Sequence, residues 1–227
     1  MINAVIFDLD NTLLDFMKMK EFAVKAAIKS MIEAGLEVDE DKSYSEIISI
    51  YEQFGWENQK VFDVFLEKSI GHVDNKFLAA GIVAYRRARE ANLMAYPNVN
   101  KTLIQLIKMG INLAVVSDAP SREAWMRLYY LNLHHIFDFV LTLDDTRARK
   151  PSPIPFKMAL EKLNCAAENT LMVGDWPERD VEGAKQLGMK TIFARYGDTF
   201  GTTDSGADWD VDDIHQIVDI VSELNAA

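Results

Sequence analysis

The sequence predicts an α/β fold: a Rossmann-like core built on a parallel sheet, with an α-helical module inserted near its start. Three observations predict it. An apolar run too short for a helix, Ala4-Val5-Ile6-Phe7, stands at the N-terminus and reads as a buried strand. Residues 16–95 then carry helical periodicity with no strand-like run. From Pro97 onward, short strand-like runs alternate with helical segments, which is the pattern of a parallel sheet covered on both faces. The boundaries follow: an α/β core of residues 1–15 and 96–227, and an inserted α-helical module of four helices over residues 16–95.

Phe16, Met19, Phe22, Val24, Ala27, Ile28 and Met31 recur at helical spacing, and Gly35 suits the position just past a helix. Ser43-Tyr44-Ser45-Glu46 has the form of a capping box and is expected to open a second helix. Residues 58–70 and 75–93 read as two more. In the second half, Val99 to Met109 is expected to be a helix stopped by Gly110, and Asn112 to Val116 a strand ending at Ser117. Residues 122–132 read as helix and Phe137 to Leu143 as strand. Ser152 followed by Pro153 pairs an N-cap with a first-turn proline, opening a helix to Leu163. Thr170 to Val173 is a strand ending in Gly174-Asp175, residues 178–187 a helix stopped by Gly188, Lys190 to Ala194 a fifth strand, and 212–224 a last helix.

Composition excludes several classes of function. Hydrophobic residues at 49% and charged residues at 26% suit a folded globular chain, not a disordered one. A net charge of −11 leaves no basic face for nucleic acid; Arg86, Arg87 and Arg89 form the one local basic cluster and read as a solvated helix face. Cys165 is the single cysteine, so no intrachain disulfide forms. No signal peptide is visible and no apolar run approaches the roughly 20 residues that span a bilayer. The expectation is a cytoplasmic protein with no membrane or nucleic-acid partner, in which the Asn100-Lys101-Thr102 sequon is accidental.

In a parallel sheet, ligands gather at the carboxyl ends of the strands. Connectivity therefore brings Asp8, Ser117 and Asp175, which end three strands, to one edge. Asp8-Leu9-Asp10-Asn11-Thr12 sets two carboxylates just past a buried strand, where gathering them is costly unless a cation or a reaction needs them; the blander reading is an ordinary Asp/Asn turn. Gly174-Asp175-Trp176-Pro177-Glu178-Arg179-Asp180 adds further acids, and oxygen donors in this number suit a hard cation such as magnesium; acids near a helix N-terminus are the alternative. Lys150 is suited to clamping a phosphate oxygen, and Ser117 to donating to one, although a surface lysine and a capping hydroxyl are commoner roles. Met17, Met19 and Met31 read as packing, His134-His135 as structural, and Trp176 equally as a wall of the site or as core.

In this order, AVIFDLDNT, LAVVSD, RKP and LMVGDWPERD resemble the haloacid dehalogenase superfamily, whose pattern is hhhhDxDx[TV], hhhh[ST], Lys and hhhhGDxxxxD. The match runs from Ala4 to Asp180, and the insert resembles the family's C1-type cap. The resemblance implies that Asp8 attacks phosphorus to form an aspartyl-phosphate and that Asp10 protonates the leaving oxygen and then activates water. It implies Mg2+ held by Asp8, Asp10 through its backbone carbonyl, Asp175 and Asp180, the last either as direct ligand or in support. It assigns phosphate binding to Ser117 and Lys150, with Thr12 bracing the loop and Asn11 lending its backbone N–H. Family members that attack carbon lack an acid at the position of Asp10, so this chain is similar to the phosphoryl-transfer members. The expected activity is hydrolysis of a small phosphorylated metabolite under a cap that closes on substrate. A phosphomutase of the same superfamily, or a non-catalytic binding or regulatory protein on the same fold, stays open, as do the substrate and the oligomeric state.

Overall fold

A computed structural model describes residues 1–226. The chain divides into two compact units: Phe16–Leu93, and Met1–Asp15 together with the chain from Met94 onward. Met94 and Ala95 go with the larger unit, two residues earlier than the spacing of apolar residues implies. The reason is backbone pairing: Leu14 bridges Ala95, and the Asp15 N–H donates to the Met94 carbonyl.

The N-terminal strand β1 (Ala4–Phe7) is buried throughout. The smaller unit follows as four helices, α1 (Phe16–Glu33), α2 (Glu40–Phe54), α3 (Val61–Ile70) and α4 (Asn75–Asn92). Phe16, Met19, Ala23, Val24, Ala27, Ile28 and Met31 form the buried stripe of α1, and Met31 is a packing residue as expected. Val24, Ala27, Ile28 and Met31 of this stripe meet Ile47, Ile50, Phe62, Phe65 and Leu66 in a core of the unit's own. Gly81 is the one fully buried residue of α4, and a Cβ there would stand 3.1 Å from Met31 Sδ, so the glycine lets α1 and α4 approach closely. Lys20 is buried too; its Nζ donates to the Trp56 carbonyl at 2.6 Å and the Tyr85 hydroxyl at 2.8 Å, and lies 4.1 Å from the Tyr51 ring centroid.

The start of α2 corrects the sequence reading. Asp39, not Ser43, is the N-cap: its carboxylate accepts from the Lys42 N–H, and Glu40 and Asp41 occupy the first turn, where acids complement the helix dipole. Ser43 lies inside the helix and its Oγ donates back to the Asp39 carbonyl.

The larger unit continues through α5 (Val99–Lys108), β2 (Asn112–Val116), α6 (Ser121–Tyr130), β3 (Phe139–Leu141), α7 (Leu143–Thr146), α8 (Pro153–Leu163), β4 (Thr170–Gly174), α9 (Glu182–Lys185), β5 (Lys190–Ala194), β6 (Trp209–Val211) and α10 (Gln216–Ala226). The six strands form one wholly parallel sheet of order β3-β2-β1-β4-β5-β6. Beneath one face, Ile6, Val116 and Met172 pack on Phe156, Ala159 and Leu163 of α8. The Ser152 hydroxyl caps α8 through the Ile154 N–H, with Pro153 in the first turn. β3 is shorter than expected, because a capping box between Thr142 and Asp145 ends it and starts α7. The expected helix over 178–187 is a wide π turn, Pro177–Val181, running into the short α9. Among the described residues, no helix is long and apolar enough to cross a membrane.

Candidate active site

The chain runs outward from β1 in both directions, to β2 and β3 on one side and to β4, β5 and β6 on the other. β1 is thus the switch point, where the connections diverge and leave a crevice at the strand ends. Register then fixes what meets there. Phe7 pairs with Val115 of β2 and Val173 of β4, so Asp8 emerges beside the segments that carry Ser117 and Asp175. The Asp8 N–H donates to the Val173 carbonyl at 2.9 Å, which ties the loop to β4.

Asp8, Lys150, Asp175 and Asp180 are all buried. Lys150 Nζ donates to Asp8 Oδ1 at 2.5 Å and to Asp180 Oδ1 at 2.6 Å. The other Asp180 oxygen, Oδ2, accepts from the Trp176 N–H at 3.1 Å. A Cβ on Gly174 would stand 2.2 Å from Asp180 Oδ2, so glycine here is what lets the π turn fold Asp180 back beneath the strand end. Burial pushes the Asp8 carboxyl up to about 7, with Asp180 and Asp10 adding repulsion that Lys150 opposes. Burial raises Asp175 well above the usual carboxylate range, and the charges of Asp8 and Asp180 push the same way. Burial also raises Asp180, against the pull of Lys150. For Lys150 burial acts downward, but the carboxylates of Asp180, Asp8 and Asp118 outweigh it and hold the ammonium above its ordinary value.

Three buried carboxylates thus face one ammonium, an electrostatic deficit that a hard cation would relieve. The donors are all oxygen, which suits Mg2+. Among the described residues, no group of three or more His, Cys, Asp or Glu side chains closes on one point to cage a metal alone. The carboxylates that fit such an ion are Asp8 and Asp175, since both oxygens of Asp180 already accept hydrogen bonds.

The loop after β1 is braced at each residue. Asn11 takes a left-handed backbone, φ +58°, which asparagine tolerates. Thr12 is fully buried and its Oγ1 donates to Asp175 Oδ1 at 3.1 Å. Tyr196, beyond β5, donates to the Thr12 carbonyl at 2.9 Å. Next to it, a Cβ on Gly197 would stand 1.6 Å from the Asn11 carbonyl oxygen. Ser117 Oγ accepts from the Ala119 N–H at 3.1 Å, a bond within the loop after β2 that leaves its hydroxyl proton to donate; α6 starts later, with Pro120 at its N-cap. Asp10 Oδ2 is held at 2.7 Å by Nη1 of Arg127, a buried residue of α6.

The sequence reading missed Arg127, Tyr196 and Asp118. Arg127 had one readable sign: it shares the helical stripe of Ala124 and Leu128, where an arginine is out of place unless paired. Asp118 accepts from the Lys150 N–H at 3.0 Å and from Arg179 at 3.3 Å. Arg179 lies 3.6 Å from the centroid of Trp176, which also meets Phe200. His134 stacks on Tyr129 and contacts His135, the structural role expected of the pair. Arg86 and Arg87 are exposed.

Comparison with known proteins agrees with this geometry. The model of the haloacid dehalogenase-like hydrolases matches residues 5–194. The chain is 34% identical to glyceraldehyde 3-phosphate phosphatase of Methanocaldococcus jannaschii, over 99% of each chain. It is 36% identical to the protein of that name from Pyrococcus abyssi, over 87% of this chain and 83% of the relative. In fold it is similar to the HAD-hydrolase YfnB of Bacillus subtilis, solved bound to magnesium, with a TM-score of 0.72, 19% identity and coverage of 97% and 98%. With its motifs in order and its fold matched along nearly its whole length, the chain belongs to the haloacid dehalogenase-like hydrolases.

Proposed function

We propose that this hydrolase is a magnesium-dependent phosphatase that cleaves a small phosphate monoester through Asp8. The observation that carries the reading is the buried pairing of Asp8 with Lys150 at the switch point of the sheet, beside Asp175. An Asp8 oxygen attacks phosphorus as the bond from phosphorus to the leaving oxygen breaks, and Asp10 gives that oxygen a proton. Water then attacks the phosphorus, Asp8 leaves as a carboxylate, and the water's proton passes to Asp10. Lys150 and the Ser117 hydroxyl hold the phosphoryl oxygens, and Asn11 lends its backbone N–H. Asp8, Asp175 and the Asp10 carbonyl would hold Mg2+, which when bound offsets the repulsion between an anionic nucleophile and an anionic phosphate. Asp180, with both oxygens already accepting hydrogen bonds, is assigned to fixing Lys150 and the loop.

The names of the relatives favour a phosphorylated triose, and glyceraldehyde 3-phosphate leads the set to be assayed. Phosphate release from a panel of sugar and triose phosphates, with Mg2+ and with EDTA, tests the reading. Release that needs the metal and falls at least ~1,000-fold in Asp8→Asn is expected, the scale on which loss of a covalent nucleophile acts. Isomerised sugar phosphate without free phosphate would indicate a mutase, and unchanged release in Asp8→Asn would remove Asp8 from the reaction.

A further inference from the structure

We infer that Arg127 is a positioning residue for Asp10, and that it acts mainly on the second half of the reaction, hydrolysis of the phosphorylated Asp8. The inference rests on the phosphatase reading above. Asp10 lies on the loop after β1 and Arg127 on α6, so the pair joins two elements far apart in sequence. The arginine side chain is 7% exposed and Nη1 lies 2.7 Å from Asp10 Oδ2. A guanidinium stays charged and holds its donors in a rigid plane, so it fixes direction as well as charge. Pinning Oδ2 sets the direction in which Asp10 Oδ1 presents its lone pairs.

The two halves of the reaction depend unequally on that direction. In the first, the leaving oxygen is bonded to phosphorus and stays within reach of a loosely held Asp10. In the second, the attacking water is free, and only an aimed carboxylate brings it in line. Its oxygen–phosphorus bond then forms as the bond from phosphorus to Asp8 breaks, the electron pair returns to the Asp8 carboxylate, and the water's proton passes to Asp10. Loss of aim should therefore slow this step by ~10- to 100-fold, the cost of a misplacement of about 1 Å.

Rapid mixing with p-nitrophenyl phosphate and Mg2+ separates the halves, because nitrophenolate leaves with little help from an acid. Arg127→Met is expected to release about one nitrophenolate per enzyme at nearly the wild-type rate and then settle to a steady rate ~10- to 100-fold below wild type. Arg127→Lys, which keeps the charge but loses the planar fork, should fall between them. Both phases slowed by one factor, or neither slowed, would overturn the inference. Should Arg127→Met not fold, Arg127→Gln takes its place, and loss of folded protein in both would assign Arg127 to stability instead. A wild-type enzyme that releases no nitrophenolate, or an Asp8→Asn variant that matches it, sinks the phosphatase reading before Arg127 is compared at all.

Discussion

Burial withdraws water from the Asp8 carboxyl and raises it to about 7 from an ordinary 3.8, and Lys150 only partly restores the charged form. Between those two values the folded chain holds a proton that the unfolded chain has given up, so the stability Asp8 contributes is full at low pH and is lost as pH rises toward 7. Asparagine carries no such charge. In EDTA, Asp8→Asn is expected to melt several degrees above wild type at pH 8 and level with it near pH 4, and thermal melts at both values check this. A wild-type chain that is the more stable at pH 8 would contradict the electrostatics. At this scale, Asp8 and Asp175 were legible because each follows a buried apolar strand, where a carboxylate is costly to bury, and the pairing of β1 with β4 sets those strand ends side by side. Tyr196 was not legible, because its partner is a backbone carbonyl at Thr12 that no residue pattern announces.

Secondary-structure elements set the precision of the site. The turn after β5 presses on the loop after β1 so closely that Gly197 has no room for a methyl group beside the Asn11 carbonyl. Gly197→Ala is expected to push that loop and Asp8 out of register, lowering kcat ~10- to 100-fold, with a smaller change in KM. Steady-state kinetics on the folded variant check this, and an unchanged kcat would show the loop indifferent to its brace. β1, β2, β4 and β5 were legible because central parallel strands are apolar on both faces. β6 was missed because Trp209-Asp210-Val211 is a three-residue edge strand with an exposed aspartate at its centre. The start of α2 was misread because Ser43 and Glu46 have the spacing of a capping box, whereas the N-cap that forms, Asp39, has Lys42 at the third helical position and so shows no such pair.

As a whole molecule, the chain keeps its polar catalytic candidates in one unit and gives the other an apolar core of its own. Phe65 is fully buried in that second core. Phe65→Ala should cost ~3–5 kcal/mol by leaving a cavity. Hydrogen exchange is expected to speed up across α1 to α4 while the amides of β1 and β4 keep their protection, and uniform acceleration would mean that the two units unfold as one. The division was legible because the period of the apolar residues changes near position 16 and again near 95. Its edge moved by two residues because the pairing of Leu14 with Ala95 is a long-range contact.

The proposed reaction bonds phosphorus to the carboxylate of Asp8. It is tested most directly by quenching turnover of a phosphate monoester into sodium borohydride and sequencing the tryptic peptide Met1–Lys18 by mass spectrometry. An acyl phosphate is reduced where a free carboxylate is not. The prediction is homoserine at position 8, with Asp10 and Asp15 intact, and none in samples without substrate. Phosphate released while Asp8 stays unreduced, or reduction at another carboxylate, would contradict it.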